Sequence, residues 1–401
     1  MSRFLFAWEL GANFGHVGQF LPVAERLRDA GHEALFVVRD VTQADQFLRR
    51  RGFTCLQAPH VMPSPRSSGA EPESYADILS HCGWDTGANL SALTLAWSAL
   101  YRWTEPDVIV GSHAPTALFA ARGKKLRRAA LGTGFECPPR QSPMPSMRPW
   151  KNVPLSRLLA AELSVLVSVN AVLEELDMSK VNKLNEIFDY DAGLLCTLPA
   201  LDHYPGRQNA EYLGPLYADF SDGPVEWPPQ EGRRVFVYLR SQFEGLEDLL
   251  SALQSLRTST LIFAPGIGDE LIKRYSSPLM SFRRKPASVP EVAKDCDLAI
   301  CHGGHGTVAA FLQTGVPLLM LPTHLEQYLS ARNVAQFGAG IVAPKNSGES
   351  DYKKMLSALL DRLDYKVRAV DFMKLFGSSN PGATIETVVS RLEMLTKACS
   401  R

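Results

Sequence analysis

The stretch Asp297–Asn333 has the most suggestive residue types and spacing in this sequence, because an apolar run leads through glycines into a helical pattern. Leu298–Cys301 is a short apolar run of the kind that forms a buried parallel strand. The glycines of the turn His302–Thr307 allow the backbone to approach a ligand closely. The free N–H groups of the helix that follows, with the helix dipole behind them, attract anions. The pattern therefore predicts a phosphate-binding turn, although its sequence is neither a Walker motif nor G-x-G-x-x-G.

A second candidate for chemistry is His16, which follows the apolar run Phe4–Leu10 and the turn Gly11–Gly15. Apolar residues recur at helical spacing in Val17–Ala30, so this histidine lies where a strand passes into a helix. In open α/β sheets that edge holds ligands. On its spacing alone, however, a single histidine at a helix start is more often structural.

Apolar runs alternate with helical patterns along most of the chain, which predicts parallel sheets with helices on their faces. In the first half the predicted strands are Phe4–Leu10, His32–Val38, Phe53–Pro59, Pro106–His113, Ala129–Gly134 and Ala192–Leu198. In the second half they are Arg234–Leu239, Thr260–Ala264, Leu279–Phe282, Leu298–Cys301, Pro317–Leu321 and Gly340–Ala343. The predicted helical regions include Tyr75–Trp103, Leu155–Phe188, Val308–Thr314 and Thr384–Thr396.

Two strings of residues resemble family-one glycosyltransferases, in particular bacterial enzymes related to macrolide and other natural-product glycosyltransferases. The first is H-G-G-x-G-T from His302, followed by P-x-x-x-x-P from Pro317 and by Glu326-Gln327. The second is G-H-V-x-x-x-L-P-V-A from Gly15. The resemblance implies the α/β fold called GT-B, with two Rossmann-like parallel-sheet domains facing each other across a cleft. It also implies a nucleotide-sugar co-substrate, linked to UDP or dTDP, and no other cofactor.

The resemblance assigns donor-binding roles to matching residues of the second half. In the family, the histidine and threonine of the turn contact the diphosphate, which places His302, Gly304 and Thr307 at the phosphates. The acidic residue and glutamine hold sugar hydroxyls, which places Glu326 and Gln327 at the sugar.

Three further donor residues come from other loops of the second half. Arg240 replaces a glycine that the family often has, and Ser241 next to it is expected near the phosphates. Val289 lies where backbone groups of the family meet the nucleotide base. The complete donor-binding set implied by the resemblance is Arg240, Ser241, Val289, His302, Gly303, Gly304, Gly306, Thr307, Glu326 and Gln327.

The resemblance also makes His16 the catalytic base, and here the sequence departs from the family. Many members have an acid near the end of the Pro106–His113 strand that orients this histidine, but the matching position is Ser112. A serine can accept the imidazole N–H but cannot balance a positive charge as a carboxylate would. His113 beside it is a further catalytic candidate, so the partner of His16 stays open.

The acceptor-binding candidates are aromatic residues of the first half, Phe14, Trp84 and Phe135. Core packing is the competing interpretation of Trp84. Loops form this pocket in the family, and loops carry no periodic signal from which the acceptor could be identified.

Composition excludes several classes of function. The chain has 401 residues, 45% of them hydrophobic, with 42 basic and 42 acidic side chains. Its net charge is therefore balanced and gives no overall attraction to nucleic acid.

Its seven cysteines are scattered without a C-x-x-C pair, which favours reduced thiols and a cytoplasmic protein. No signal peptide is expected, and no apolar run approaches the roughly 20 residues that cross a bilayer. Peripheral contact with a membrane stays open.

No metal site is expected. The D-x-D triplets Asp189–Asp191 and Asp295–Asp297 each precede a predicted strand and are interpreted as polar strand starts. Asp295–Asp297 is expected roughly 16 Å from the phosphate-binding turn at the other end of its strand.

The expected domains are an acceptor-binding domain at 1–218, a Pro-rich linker at 219–233 and a donor-binding domain at 234–380. A last helix in 381–401 is expected to pack back across the domains. The sequence does not indicate the oligomeric state.

The function these patterns favour is an inverting, metal-independent glycosyltransferase that moves a hexose to a hydroxyl of a small-molecule or lipid acceptor. One alternative is a sugar-nucleotide epimerase or hydrolase on the same architecture, which would need acidic groups converging on the sugar. The other is a non-catalytic partner of a glycosyltransferase, which the missing acid at Ser112 favours.

Overall fold

The computed structural model describes residues 1–11, 15–61, 71–217, 221, 223–229 and 232–397, so Phe14 lies outside the described residues. The chain forms two compact units. Unit 1 takes in Met1–Thr197, His203–Tyr217 and Pro381–Arg401, and unit 2 takes in Leu198–Asp202 and Ala218–Asn380. Each unit contains one six-stranded parallel sheet. The predicted α/β class with two parallel sheets is therefore confirmed.

The sheet of unit 1 has the strand order β3-β2-β1-β4-β5-β6, so the chain reverses direction across the sheet between β1 and β4. Its strands are β1 (Arg3–Trp8), β2 (Glu33–Val38), β3 (Cys55–Gln57), β4 (Val108–Ser112), β5 (Arg127–Gly132) and β6 (Ala192–Leu195). Its first six helices are α1 (Gly15–Asp29), α2 (Val41–Leu48), α3 (Tyr75–Leu79), α4 (Gly87–Thr104), α5 (Pro115–Ala120) and α6 (Leu155–Glu175).

The core of unit 1 forms because its central strand is apolar on both faces. Phe4 and Phe6 of β1 are fully buried, and the Phe6 ring stacks on Phe36 of β2 at 5.2 Å. Phe20 of α1 meets Phe6 edge to face at 5.1 Å, so the helix covers one face of the strand pair. These contacts hold α1 at the carboxyl end of β1.

Two predicted elements of unit 1 are shorter in the structure. The helical region Tyr75–Trp103 is interrupted by a π turn at Ser80–Trp84, where Gly83 has φ +96°, a value that no α-helix contains. The region Leu155–Phe188 is helical only to Glu175, and a 3₁₀ turn at Leu184–Phe188 follows. Local apolar spacing did not reveal these breaks.

The sheet of unit 2 has the order β12-β11-β10-β7-β8-β9 and reverses between β7 and β10. Its strands are β7 (Arg234–Tyr238), β8 (Ser259–Phe263), β9 (Met280–Arg283), β10 (Leu298–Cys301), β11 (Leu318–Met320) and β12 (Gly340–Val342). Its helices are α7 (Leu246–Leu256), α8 (Asp269–Tyr275), α9 (Val289–Asp295), α10 (His305–Leu312), α11 (Leu325–Phe337), α12 (Glu349–Asp361) and α13 (Leu363–Phe376).

The last helix, α14 (Pro381–Lys397), belongs to unit 1, where it packs on α1. Arg26 of α1 donates to Glu386 at 2.6 Å, and the Thr384 hydroxyl donates to the Leu213 carbonyl at 2.7 Å. The chain therefore returns to unit 1 after completing unit 2.

Helix α6 is, among the described residues, the one helix long and apolar enough by length and composition to cross a bilayer, which the sequence analysis did not expect. Its inner face packs in the core of unit 1 through Val165, Val169 and Val172. Its buried Glu162 accepts hydrogen bonds from Ser142 and the Met144 N–H. The apolar side chains exposed on its other face are Leu155, Leu159, Leu163 and Val167.

A buried carboxylate joins the end of β1 to α5. Glu9 accepts hydrogen bonds from the N–H groups of Thr116 at 2.9 Å and Ala117 at 3.2 Å, and from the Thr116 hydroxyl. Trp84 in turn donates its indole N–H to that hydroxyl at 3.0 Å. Burial raises the pKa of Glu9 to about 7, and the hydrogen bonds only partly oppose this effect.

This raised pKa predicts a pH-dependent cost of folding. A carboxyl group whose pKa rises on folding from 4.5 to about 7 makes the folded state less stable as the pH rises through that window. The substitution Glu9→Gln removes this titration. We expect the free energy of unfolding of the variant, relative to the native protein, to rise by on the order of 1–3 kcal/mol between pH 5 and pH 8. Urea unfolding at both pH values measures this, and an identical difference at both would contradict it.

Candidate functional site

In unit 1 the predicted catalytic residues meet at the point where the strand order reverses. β1 and β4 pair in parallel, with Trp8 beside Ser112 at their carboxyl ends. His16 lies in the first turn of α1, which follows β1. Because connections leave such strands toward opposite faces of the sheet, their carboxyl ends leave room for a ligand.

The ring of His16 is buried and held on two sides. Its Nδ1 lies 2.9 Å from the hydroxyl oxygen of the fully buried Ser112, and its ring stacks on Trp8 at 5.4 Å. If Ser112 accepts this hydrogen bond, Nδ1 carries the proton and Nε2 has a free lone pair. Burial lowers the pKa of His16, so the neutral ring is favoured at pH 7. This is the form that a general base requires.

The structure adds a residue, Glu136, that was not predicted from the sequence. Its Oε1 lies 3.8 Å from Nδ1 of His16, and both side chains are buried. Its Oε2 accepts hydrogen bonds from the Thr133 N–H at 2.7 Å and from the Thr133 hydroxyl. Burial would raise the pKa of Glu136, but the positive charge of protonated His16, the hydrogen bond from the Thr133 hydroxyl and the charges of two further protonated histidines outweigh it and lower the pKa to about 2. Glu136 is therefore ionised at neutral pH.

A sequence signal for Glu136 does exist. It lies just after β5, and β5 pairs with β4 through Ala130 and Gly111. An acid that follows the neighbouring strand at the same edge of the sheet can come close to Ser112. Only the strand order, which the sequence did not indicate, shows that β5 is this neighbour.

His113 occupies a strained position next to His16. Its φ of +48° is in the left-handed region, which non-glycine residues rarely adopt. Its ring centre lies 5.9 Å from that of His16 and 5.7 Å from that of Phe135. Burial lowers its pKa to about 3, so the ring is neutral. Within the described part of the chain, Nε2 of His113 has no hydrogen-bond partner.

Gly11 leaves space for both histidine rings. A Cβ at this position would lie 3.0 Å from Nε2 of His16 and 3.3 Å from Nδ1 of His113. Its φ of +84° also favours glycine.

The acceptor-binding candidates differ in position. Phe135 contacts the His113 ring at 5.7 Å and the His203 ring at 5.6 Å, so it lies beside the His16 site. Trp84 has no exposed surface, and its N–H is bonded to Thr116, so the structure gives it a packing role.

In unit 2 the predicted donor residues also gather where the strand order reverses. β7 and β10 pair in parallel with Tyr238 beside Cys301, and His302 follows β10. The Arg240 N–H, after β7, donates to Nε2 of His302 at 2.9 Å, and His302 Nδ1–H donates to the Leu321 carbonyl at 2.8 Å. The ring is thus neutral with its proton on Nδ1, and burial lowers its pKa. A phosphate oxygen can accept a hydrogen bond from Nε2 only if the Arg240 bond is released and Nε2 gains a proton.

The predicted phosphate turn is shorter than expected, because α10 begins at His305 rather than at Val308. Gly306 and Thr307 therefore lie in the first helical turn. Gly304 is the N-cap residue and has no side chain with which to cap the first N–H groups. This helix start can offer those groups and the helix dipole to an anion.

Gly303 brings the turn against α11, which carries Glu326 and Gln327. Its φ is +87°, and a Cβ there would lie 2.9 Å from the Gln327 carbonyl oxygen. Gln327 Oε1 accepts from the N–H and the hydroxyl of Thr323, both at 3.0 Å, which leaves its amide nitrogen to donate to a ligand. The predicted phosphate and sugar contacts are therefore neighbours.

The other two predicted donor residues, Ser241 and Val289, lie beside different parts of unit 2. Ser241 follows Arg240 after β7, and its hydroxyl would lie 3.0 Å from a Cβ at Gly266. Val289 begins α9 and packs, partly buried, against the core. It follows β9, which is two strands away from β7.

For the described residues, no group of three or more histidine, cysteine, aspartate or glutamate side chains could hold a metal ion.

Comparison with known proteins finds similarity to glycosyltransferases. Residues 286–393 match the family model described as "Erythromycin biosynthesis protein CIII-like, C-terminal domain". An uncharacterised glycosyltransferase of Methanopyrus kandleri is 31% identical over 144 residues, which are 35% of this chain and 38% of that protein. A PGL/p-HBAD biosynthesis glycosyltransferase of Mycobacterium tuberculosis is 25% identical over 256 residues, which are 59% of each chain. The chain thus spans less than two thirds of the length of either relative.

Solved structures match over nearly the whole chain. The spinosyn rhamnosyltransferase SpnG, complexed with thymidine diphosphate, gives a TM-score of 0.67 at 17% identity and covers 97% of this chain and 100% of its own. The glycosyltransferase VinC, in complex with dTDP, gives a TM-score of 0.68 at 17% identity, covering 99% and 100%. The predicted GT-B fold and the resemblance to natural-product glycosyltransferases are confirmed.

Two adjacent glycines of the phosphate turn allow a matched test of this geometry. We expect Gly303→Ala to destabilise the protein by on the order of 1–3 kcal/mol, because it combines a left-handed φ with a clash against the Gln327 carbonyl. Gly304→Ala should change stability far less, since its φ is −62° and no atom lies within 4 Å of the added Cβ. Denaturant unfolding of both variants measures the difference. Equal losses in the two variants would contradict the described turn.

Proposed function

We propose that this protein is an inverting glycosyltransferase, which moves a hexose from a nucleoside diphosphate to a hydroxyl of a small-molecule or lipid acceptor. The observation that carries the proposal is the neutral, buried His16, held through Nδ1 at the reversal point of unit 1. The glycine-capped start of α10 at the corresponding point of unit 2 supports it. The names of the related proteins, which are glycosyltransferases, agree with this reading.

Unit 2 would bind the nucleotide sugar. The diphosphate would accept hydrogen bonds from the first N–H groups of α10 and from the Thr307 hydroxyl, a set of fixed dipoles that does not need to reorganise. The exposed Arg240 side chain would add a positive charge. Glu326 and the amide nitrogen of Gln327 would hold sugar hydroxyls. UDP and dTDP both satisfy this chemistry.

Unit 1 would supply the base. Nε2 of His16 would take the proton of the acceptor hydroxyl while that oxygen forms a bond to the anomeric carbon. The bond from this carbon to the diphosphate oxygen breaks in the same step, and the electron pair leaves with the nucleoside diphosphate. A single displacement inverts the anomeric configuration. The transfer needs no metal, because the donors of α10 would balance the developing charge.

The hypothesis of a non-catalytic partner loses its main support. That hypothesis depended on the lack of an acid near His16, and Glu136 now provides one at 3.8 Å. An epimerase or hydrolase would need several acids around the sugar, whereas the donor residues named here include one acid, Glu326.

The substitution His16→Ala tests the base. We expect kcat for sugar transfer to fall about 10²–10⁴-fold, because the general base is lost. Stabilisation by the nucleoside diphosphate should not change, since unit 2 keeps all of its proposed contacts. The assay is a thermal-shift screen of UDP- and dTDP-sugars, followed by mass spectrometry with lipid, polyketide and phenolic acceptors.

His60→Ala is the control for the loss of an imidazole, because His60 is exposed in unit 1 and has no proposed role. Transfer at the native rate by a folded His16→Ala protein would exclude His16 as the base. If no nucleoside diphosphate stabilises the native protein, the proposed donor chemistry is wrong.

A further inference from the structure

We propose that Glu136 is the positioning residue for His16, and that it replaces the acid which the resemblance places at the end of β4. The proposal rests on the proposed function, since it names the charge that supports the base of that reaction. Glu136 would act through His16 and would not touch the substrate.

Ser112 can orient His16 but supplies no negative charge. Its hydroxyl is placed to accept the Nδ1–H of His16 at 2.9 Å, which fixes the tautomer and the direction of the ring. A hydroxyl is neutral, however, and the ring becomes an imidazolium when it takes the proton of the acceptor. In a buried site an uncompensated charge is costly. Ser112 therefore orients His16 but does not provide the negative charge that would stabilise the imidazolium.

Glu136 is held next to the ring on which that charge forms. Thr133 binds Oε2 through its N–H and its hydroxyl, so Oε1 is the oxygen that faces Nδ1 of His16, at 3.8 Å. Gly132 makes this fold of the side chain possible, because a Cβ there would lie 3.1 Å from both Cβ and Oε2 of Glu136. The carboxylate is thus fixed by local bonds before any substrate binds.

Glu136 would balance the positive charge of the His16 imidazolium. A carboxylate close to a buried imidazolium lowers the energy of that charged form, and more strongly than it would in water. The lowered pKa of Glu136 means that the carboxylate stays ionised, so the proton remains on His16. This division, in which the acid holds the ring and never takes the proton, is the one that buried acid–histidine pairs use in catalysis.

Other titratable groups also face the pair. The largest opposing influence on His16 is burial, which lowers its pKa, while Glu136 raises it. Within the described residues, further groups that interact electrostatically with His16 or Glu136 include His113 after β4, His203, Tyr75 of α3 and Cys196 after β6, and Arg39 interacts with His113. Among the groups named, Glu136 is the ionised acid.

The test begins with Glu136→Gln, which keeps the size of the side chain and removes the charge. We expect kcat to fall about 10- to 100-fold, with little change in KM for the nucleotide sugar. The acidic limb of the pH–rate profile should move to lower pH, because loss of the negative charge lowers the pKa of His16 further. Glu162→Gln, at a buried acid of α6, is the control and should leave this limb in place.

A second variant separates positioning from a structural role. In the Glu136→Gln background, Ser112→Asp places a carboxylate at the end of β4, and we expect it to recover at least a tenfold part of the lost kcat. Loss of a purely structural contact between Glu136 and Thr133 would not be rescued from that position. Glu136→Asp, which keeps the charge on a shorter side chain, should lie between the native protein and Glu136→Gln.

A substrate-free measurement keeps the two proposals distinguishable. Titration of ¹⁵N-histidine-labelled protein by NMR should show the His16 midpoint at lower pH in Glu136→Gln than in the native protein. If the native protein transfers no sugar, the proposed function fails while this shift still tests Glu136. An unchanged midpoint, or lost activity with an unchanged acidic limb and no rescue by Ser112→Asp, would overturn the positioning role.

Discussion

The parallel pairing of strands on either side of each reversal point is the constraint on which the rest of the structure depends. In unit 1 the pairing of β1 with β4 brings His16 within 2.9 Å of Ser112, 96 residues later in the chain. In unit 2 the pairing of β7 with β10 brings Arg240 to 2.9 Å from His302 across 62 residues. Neighbouring parallel strands have their carboxyl ends at the same edge of the sheet. Residues that follow two such strands therefore become neighbours, although no local sequence pattern links them.

A glycine leaves room for functional groups at the carboxyl edge of each sheet. Gly11 and Gly303 each follow a central strand and each adopt a left-handed φ. At each of them a Cβ would come within about 3 Å of a functional group, His16 Nε2 in one case and the Gln327 carbonyl in the other. Side-chain volume at these positions would displace the groups that the proposed reaction needs. The two sheets therefore share a strand order, a reversal point and a glycine there, although their chemistry differs.

Much of the fold could be predicted from the sequence, because buried parallel strands are continuous apolar runs. β10 has the predicted limits, and the start of α10 differed because glycines in a first helical turn look like a loop. The helix break at Gly83 was missed, since one glycine does not disturb apolar spacing. Trp84 could not be assigned to the core from the sequence, because its burial depends on residues that pack against it only in the folded chain.

Some residues of the candidate site could likewise be predicted from the sequence, and others could not. His16 and His302 were found because they lie within spaced motifs that follow strands. Glu136 was missed because a single acid in a Pro-rich loop has no spacing to mark it. Its significance comes from the order β4-β5 and from the bonds of Thr133, and both are properties of the folded chain.

Hydrogen–deuterium exchange of the full chain, with and without UDP or dTDP, tests most directly whether the reversal point of unit 2 is the diphosphate site. We expect protection in peptides that cover 239–245, 302–307 and 323–327, where the loops after β7 and β10 meet the start of α11. Saturating nucleotide that leaves these peptides unchanged, or that protects only the residues after β1 and β4, would contradict it.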